Sequence, residues 1–183
     1  MCIRDRIAIR LAGGYGEMEQ PLPTIAPFAP ADAVLAALGL EIPGLPVLAY
    51  TNGPTHVMVM LAGPDPGPVA ALAPDLRALE RLGEIGVSCF ALTAPGQVRT
   101  RMFAPGLGVP EDPATGSAAG PLAVHLVRHG RVASGQRIEI HQGQEIGRPS
   151  LLYAEAHGSS EHVERVLVGG NAVEVARGEY RLQ

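Results

Sequence analysis

The stretch Glu111–Gly130, EDPATGSAAGPLAVHLVRHG, limits the fold more than any other part of the chain. From Ala118 to Val124 no side chain carries a charge or a hydrogen-bonding group, and a helix that is apolar on every face has to be enclosed by other elements. Its entry carries the chemistry. Thr115, Gly116 and Ser117 stand where the first N–H groups of a helix lack intrahelical acceptors, and with the positive end of the helix dipole they make a site for a carboxylate or phosphate. Pro121 complicates the helix, since a proline in a regular interior removes a donor at a cost of roughly 3 kcal/mol. Either the helix bends there, or it begins at Gly120 and Pro121 and leaves 112–119 as loop. On these residues alone a ligand site and a plain helix cap both stay open.

Two other readings of the motif fail. A phosphate-binding P-loop needs a Gly-Lys pair, and the chain contains no lysine. Ser117 is not set in a Gly-x-Ser-x-Gly elbow, because Thr115 stands two residues before it, which argues against a hydrolase nucleophile.

With 183 residues, 46% hydrophobic and 17% charged, the chain has material for one well-cored globular domain, or one domain and part of another. A net charge of -4, with all 14 positive charges on scattered arginines, speaks against nucleic acid or an anionic membrane as partner. The absence of tryptophan removes the usual base-stacking surface. Cys2 and Cys89 are too few for a disulfide framework or a zinc cluster. No apolar run approaches the ~20 residues of a membrane span, and the N-terminus lacks a signal-peptide core, so a cytoplasmic protein is expected. Residues 1–6, MCIRDR, share no pattern with the rest of the chain and read as a foreign or disordered leader.

Taken in order, Ile7–Leu11 reads as a short strand closed by Gly13-Gly14, and Glu17–Pro30, with four prolines, as an extended connector. Asp32–Leu38 reads as a helix stopped by Gly39. Val47–Tyr50 and His56–Leu61 read as a strand pair around Thr51-Asn52-Gly53-Pro54. After the breaker Gly63–Pro68, Val69–Leu82 reads as one amphipathic outer helix with Leu72, Leu76, Leu79 and Leu82 on one face. Gly86–Thr93 and Val98–Phe103 form a further antiparallel pair. Beyond Gly130 the expected strands are Arg137–His141, Pro149–Ala156, Val163–Val168, Ala172–Val175 and Glu179–Leu182, with Gly169-Gly170-Asn171 as a turn. The sum is an α+β fold of about seven or eight antiparallel strands curled around a buried central helix.

Several segments resemble the phenazine biosynthesis-like, or PhzF, family, which shares the diaminopimelate epimerase fold. They are Arg101-Met-Phe-Ala-Pro, Glu111-Asp-Pro-Ala-Thr-Gly-Ser-Ala, Gly120-Pro-Leu-Ala, Gln142-Gly and Gly147-Arg-Pro-Ser150, in the family's order. The resemblance implies one half of a pseudo-symmetric two-domain fold with a cleft between the halves. It implies an isomerase that moves a proton on a small cyclic hydroxy acid without metal or organic cofactor. Asp112 then matches the family's second-half active-site acid, and Gly116 and Ser117 the residues that bind substrate at the helix entry, where the motif read by itself adds Thr115. The expected division is a leader at 1–6, a strand and connector at 7–30, the C-terminal domain at 31–168, and return strands at 169–183. The family's first-half glutamate and Gly-His-Pro motif are not found, so the chain reads as a half-site fragment. Its alternative role is a non-catalytic module that binds a small anionic metabolite or pairs as a homodimer.

Four side groups compete for roles. His125 and His129 have the spacing of two metal ligands but no third, and read as surface histidines near a helix end. Glu111 reads as solvated or structural. Arg101 and Arg148 could meet a carboxylate, though paired surface charges are the commoner outcome. Gln142-Gly143 reads as a turn rather than a cleft wall.

Overall fold

The computed structural model describes residues 9–63, 67–179 and 181. The expected leader at 1–6 and parts of the expected segments at 63–68 and 179–182 lie outside the described residues. The strands are β1 Ile9–Ala12, β2 Tyr15–Gln20, β3 Thr24–Pro27, β4 Leu48–Thr51, β5 Thr55–Met60, β6 Ile85–Ala94, β7 Gln97–Ala104, β8 Val109–Asp112, β9 Ile138–Gln142, β10 Ser150–Gly158 and β11 Val163–Asn171. The helices are α1 Ala31–Leu38, α2 Gly67–Ala71, α3 Leu76–Glu80 and α4 Gly116–Arg128.

All the strands join one sheet in the order β1-β2-β11-β10-β9-β7-β6-β5-β4-β3, with β8 added on β7. β2 and β3 are joined by Pro21-Leu22-Pro23 alone, yet β11, β10, β9, β7, β6, β5 and β4 lie between them in the order. A three-residue link can span that separation only if the sheet curls until its two ends meet. Prolines suit that seam, since they have no N–H to offer a ladder. The fold is α+β, as the sequence suggests. Two neighbouring pairs are parallel rather than antiparallel, β5 with β6 and β7 with β9. A parallel pair needs a long crossover: α2 and α3 fill the first, β8 and α4 the second.

Period-2 alternation divides the side chains between two cores. From β5, Met58 and Met60 face α4, while Val57, Val59 and, just past the strand, Leu61 face α1, α2 and α3. The stretch 57–61 is covered on both sides, and so it reads as an unbroken apolar run. α4 supplies Ala119, Leu122, Ala123 and Leu126 to the inner core, every one of them almost wholly buried.

Several local expectations change. Val69–Leu82 is two short helices, because Pro74 lacks a donor and disfavours a helical Ala73. The second starts afresh at Asp75, whose carboxylate accepts the Ala78 N–H at 3.0 Å. The proline-rich stretch 17–30 carries most of β2 and all of β3. Gly169-Gly170-Asn171 is not a turn but the end of β11, where the Tyr15 ring lies so close over Gly169 that a side chain there would strike its hydroxyl. Pairing with β2 ends at Asn171 and Tyr15, so Ala172–Val175 forms no strand and leaves Val173 and Val175 exposed.

Candidate active site

β8 and α4 present the EDPATGS motif. Asp112 closes β8 opposite Met102 of β7, and Thr115 stands at the N-cap of α4. A threonine there ordinarily turns its hydroxyl onto an N–H of the first turn. Thr115 makes no such bond. Its Oγ1 donates to Asp112 Oδ2 at 2.6 Å and accepts from Gln142 Nε2 at 2.9 Å. Gln142 Nε2 also donates to the Asp112 carbonyl at 2.6 Å, and its Oε1 accepts the Thr115 N–H at 3.3 Å. The plain-cap alternative for Thr115 therefore falls away. Helical bonding begins with the Ala118 N–H on the Thr115 carbonyl at 3.1 Å, so Gly116 and Ser117 hold their N–H groups ahead of the ladder at the dipole's positive end.

The inner side of the first turn rests on buried polar groups. Ser117 Oγ lies 3.0 Å from His56 Nε2. His56 is buried on β5, and burial pulls its pKa down to about 4, so the ring is neutral at pH 7. Gln20 Nε2 donates to the Gly116 carbonyl at 2.7 Å, and Asn52 Nδ2 to the Ser117 carbonyl at 3.1 Å. Asn52 Nδ2 also lies 3.3 Å from Gln20 Oε1, a bond that crosses the seam of the sheet.

The outer side opens on a cleft of about 600 Å³ whose lining includes Ala114, Gly116, Met18, Ser150, Leu152 and Gly170. Of the four expected site residues, only Gly116 lines this cleft. Asp112 and Thr115 are bonded to each other and are not among its lining residues, and the Ser117 hydroxyl is directed to His56.

Arg101, His125 and Gln142 are placed differently from their expectations, and Arg148 lies at the surface as expected. Arg101 is buried rather than superficial; it binds both Glu111 oxygens, at 2.9 and 2.7 Å, and donates to the Leu72 carbonyl at 2.6 Å just beyond α2. Arg148 is exposed. His125 is wholly buried, because a helix enclosed on all sides has no outer face; its Nδ1 shares a 2.9 Å hydrogen bond with the Tyr50 hydroxyl. Gln142 ends β9 as a buried clamp on the motif rather than a turn residue.

Sequence reasoning missed Gln20, Asn52 and His56. Gln20 was hidden among prolines and Asn52 among turn residues. His56 did leave a signal, a polar side chain directly before the apolar run 57–61, and that pattern asks for a buried partner.

Comparison with known proteins gives consistent matches. The model of the phenazine biosynthesis-like protein family matches residues 14–178. Trans-2,3-dihydro-3-hydroxyanthranilate isomerase of Pseudomonas fluorescens is 49% identical over 161 residues, covering 88% of this chain and 57% of that protein. An uncharacterised isomerase of Escherichia coli (strain K12) is 34% identical, covering 82% of this chain and 54% of its own length. The chain thus spans little more than half the length of these relatives. A crystal structure of a PhzF-family protein from Bacillus anthracis superposes with a TM-score of 0.71 at 21% identity, over 96% of this chain and 64% of that one, a likeness of fold.

Proposed function

The chain belongs to the phenazine biosynthesis-like protein family, and from that premise we propose that it serves a proton-shift isomerisation of a small cyclic hydroxy acid. The observation that carries the reading is the diversion of the Thr115 hydroxyl to Asp112, which leaves the first N–H groups of α4 uncapped beside a carboxylate. In such a reaction one ring carbon loses a proton and another gains one, with no net change of atoms. Negative charge develops in between, in conjugation with the substrate's carboxylate. The helix entry at Gly116 stabilises that charge, and Asp112, half-buried two residues before the cleft-lining Ala114, exchanges the proton. The 49%-identical relative is named for trans-2,3-dihydro-3-hydroxyanthranilate, an acid of this class, and the cleft has room for one.

In this reading the chain provides one wall of the site, the half that carries the helix entry in a pseudo-symmetric fold. The opposite wall supplies the glutamate that the family resemblance implies. Turnover of trans-2,3-dihydro-3-hydroxyanthranilate in protein of the relatives' full length tests it. Asp112→Asn should lower turnover on the order of a hundredfold, and Ser117→Ala by less. Full activity in both variants would refute the assignment.

One observation favours self-association as a second reading. Among the described residues β1 is an edge strand on which Ile9 and Leu11 are exposed, an apolar edge of the kind that pairs with another chain. Sedimentation showing only monomer at high concentration would eliminate it.

A further inference from the structure

We infer that Asn52, supported by Gln20, is a positioning residue for the helix entry, replacing from outside the hydrogen bond that Pro121 deletes from α4. The ladder of an α-helix runs from each N–H to the carbonyl four residues back. Pro121 lies inside α4 and has no N–H, so the carbonyl of Ser117 lacks the donor four residues on. A half-buried carbonyl without a donor is costly. Asn52 Nδ2 occupies that vacant role at 3.1 Å. The adjoining Gly116 carbonyl is held from the same side by Gln20 Nε2 at 2.7 Å.

The surroundings fit this use. Gly53, next to Asn52, has a φ of +133°, which side-chain residues rarely adopt, and so a glycine shapes the turn that presents the carboxamide. Gly120 is packed against Gln20 Oε1 and Val166, and any side chain there would push Gln20 off the helix. Gln20 and Asn52 come from opposite ends of the sheet order and bond to each other at 3.3 Å. The orientation of Gly116 and Ser117 is therefore set by the closure of the sheet together with the helix's own ladder. Only a donor serves at position 52, and an aspartate of the same shape accepts without donating.

The test compares Asn52→Asp and Pro121→Ala, singly and combined, in the full chain. One readout is amide hydrogen exchange at Ala118, the first bonded amide of α4. The other is affinity for trans-2,3-dihydro-3-hydroxyanthranilate, and this second readout rests on the isomerase reading. Asn52→Asp should speed Ala118 exchange and weaken binding, each by roughly tenfold, while exchange at Ile140 on β9 stays unchanged. Adding Pro121→Ala restores an N–H for the Ser117 carbonyl and should recover most of both losses. Unchanged Ala118 exchange in Asn52→Asp, or no recovery in the double variant, overturns the role. Altered exchange with unaltered affinity overturns its link to the site. Should Asn52→Asp fail to fold, recovery of folding by Pro121→Ala supports the role, and failure to recover overturns it. If the native chain does not bind this acid, the isomerase reading fails and the exchange data alone decide on Asn52.

Discussion

Gln142 and Thr115, 27 positions apart, are bonded in both directions: Gln142 Nε2 donates to the Thr115 hydroxyl, and Gln142 Oε1 accepts the Thr115 N–H. With a third bond to the Asp112 carbonyl, one buried side chain from β9 ties both ends of the motif loop. Gln142→Leu keeps the bulk and removes all three bonds. It should cost about 2–3 kcal/mol, because buried backbone groups are left unpaired. Urea denaturation of the two proteins checks this, and a loss below about 0.5 kcal/mol would contradict the clamp.

The buried Arg101 pairs with the half-buried Glu111, and its other donor arm holds the Leu72 carbonyl. Arg101→Met strands a carboxylate and a carbonyl, and should destabilise by about 3–5 kcal/mol. Removing both charges in Arg101→Met/Glu111→Leu should be less harmful than Arg101→Met alone. The order of thermal midpoints tests it; a double variant less stable than both single ones would contradict the account.

His56 and His125 are buried and neutral, with pKa values lowered to about 4 and about 3 by desolvation; for His125 the nearby His129 and Arg128 add to it. Both folded values lie below the unfolded value of 6.5. Above that pH neither state carries the extra protons, and stability is full. As pH falls from 6.5 towards 4 the unfolded chain binds protons that the native one refuses. Stability should then drop by up to about 1.4 kcal/mol per pH unit for each ring. The urea midpoint should decline across this window, and His125→Gln should remove about half of the slope. An unchanged slope would show that His125 does not titrate in this way.

Gly143 and Gly147 both have left-handed backbones, with φ of +78° and +70°, but only Gly143 is crowded, by the backbone of Arg148 and Pro113. Gly147→Ala should cost about 1–2 kcal/mol for conformation alone. Gly143→Ala should cost clearly more, since backbone must also shift. Comparable losses in a denaturation assay would contradict the steric argument.

The sequence made the central helix legible because Ala118–Val124 leaves no polar face to expose, and α4 is indeed enclosed. The α1 stop at Gly39 and the β4–β5 pair were equally plain, since a left-handed glycine and a turn-rich loop mark their own ends. The parallel pairs were not legible, because each is made across a long crossover that local alternation does not encode. At the site, the motif itself marked Asp112 and Thr115 as neighbours. Its anchors Gln20, Asn52 and Gln142 come from distant strands and turns, and carboxamides there look like ordinary loop residues until the sheet closes.

The most direct test of the central claim is a titration of the 15N-labelled chain with trans-2,3-dihydro-3-hydroxyanthranilate, followed at the amides of Gly116 and Ser117. The account predicts saturable shifts centred on these two amides and on Ala114 at the cleft. Shifts elsewhere only, or none at all, would contradict an acid-binding site at the entry of α4.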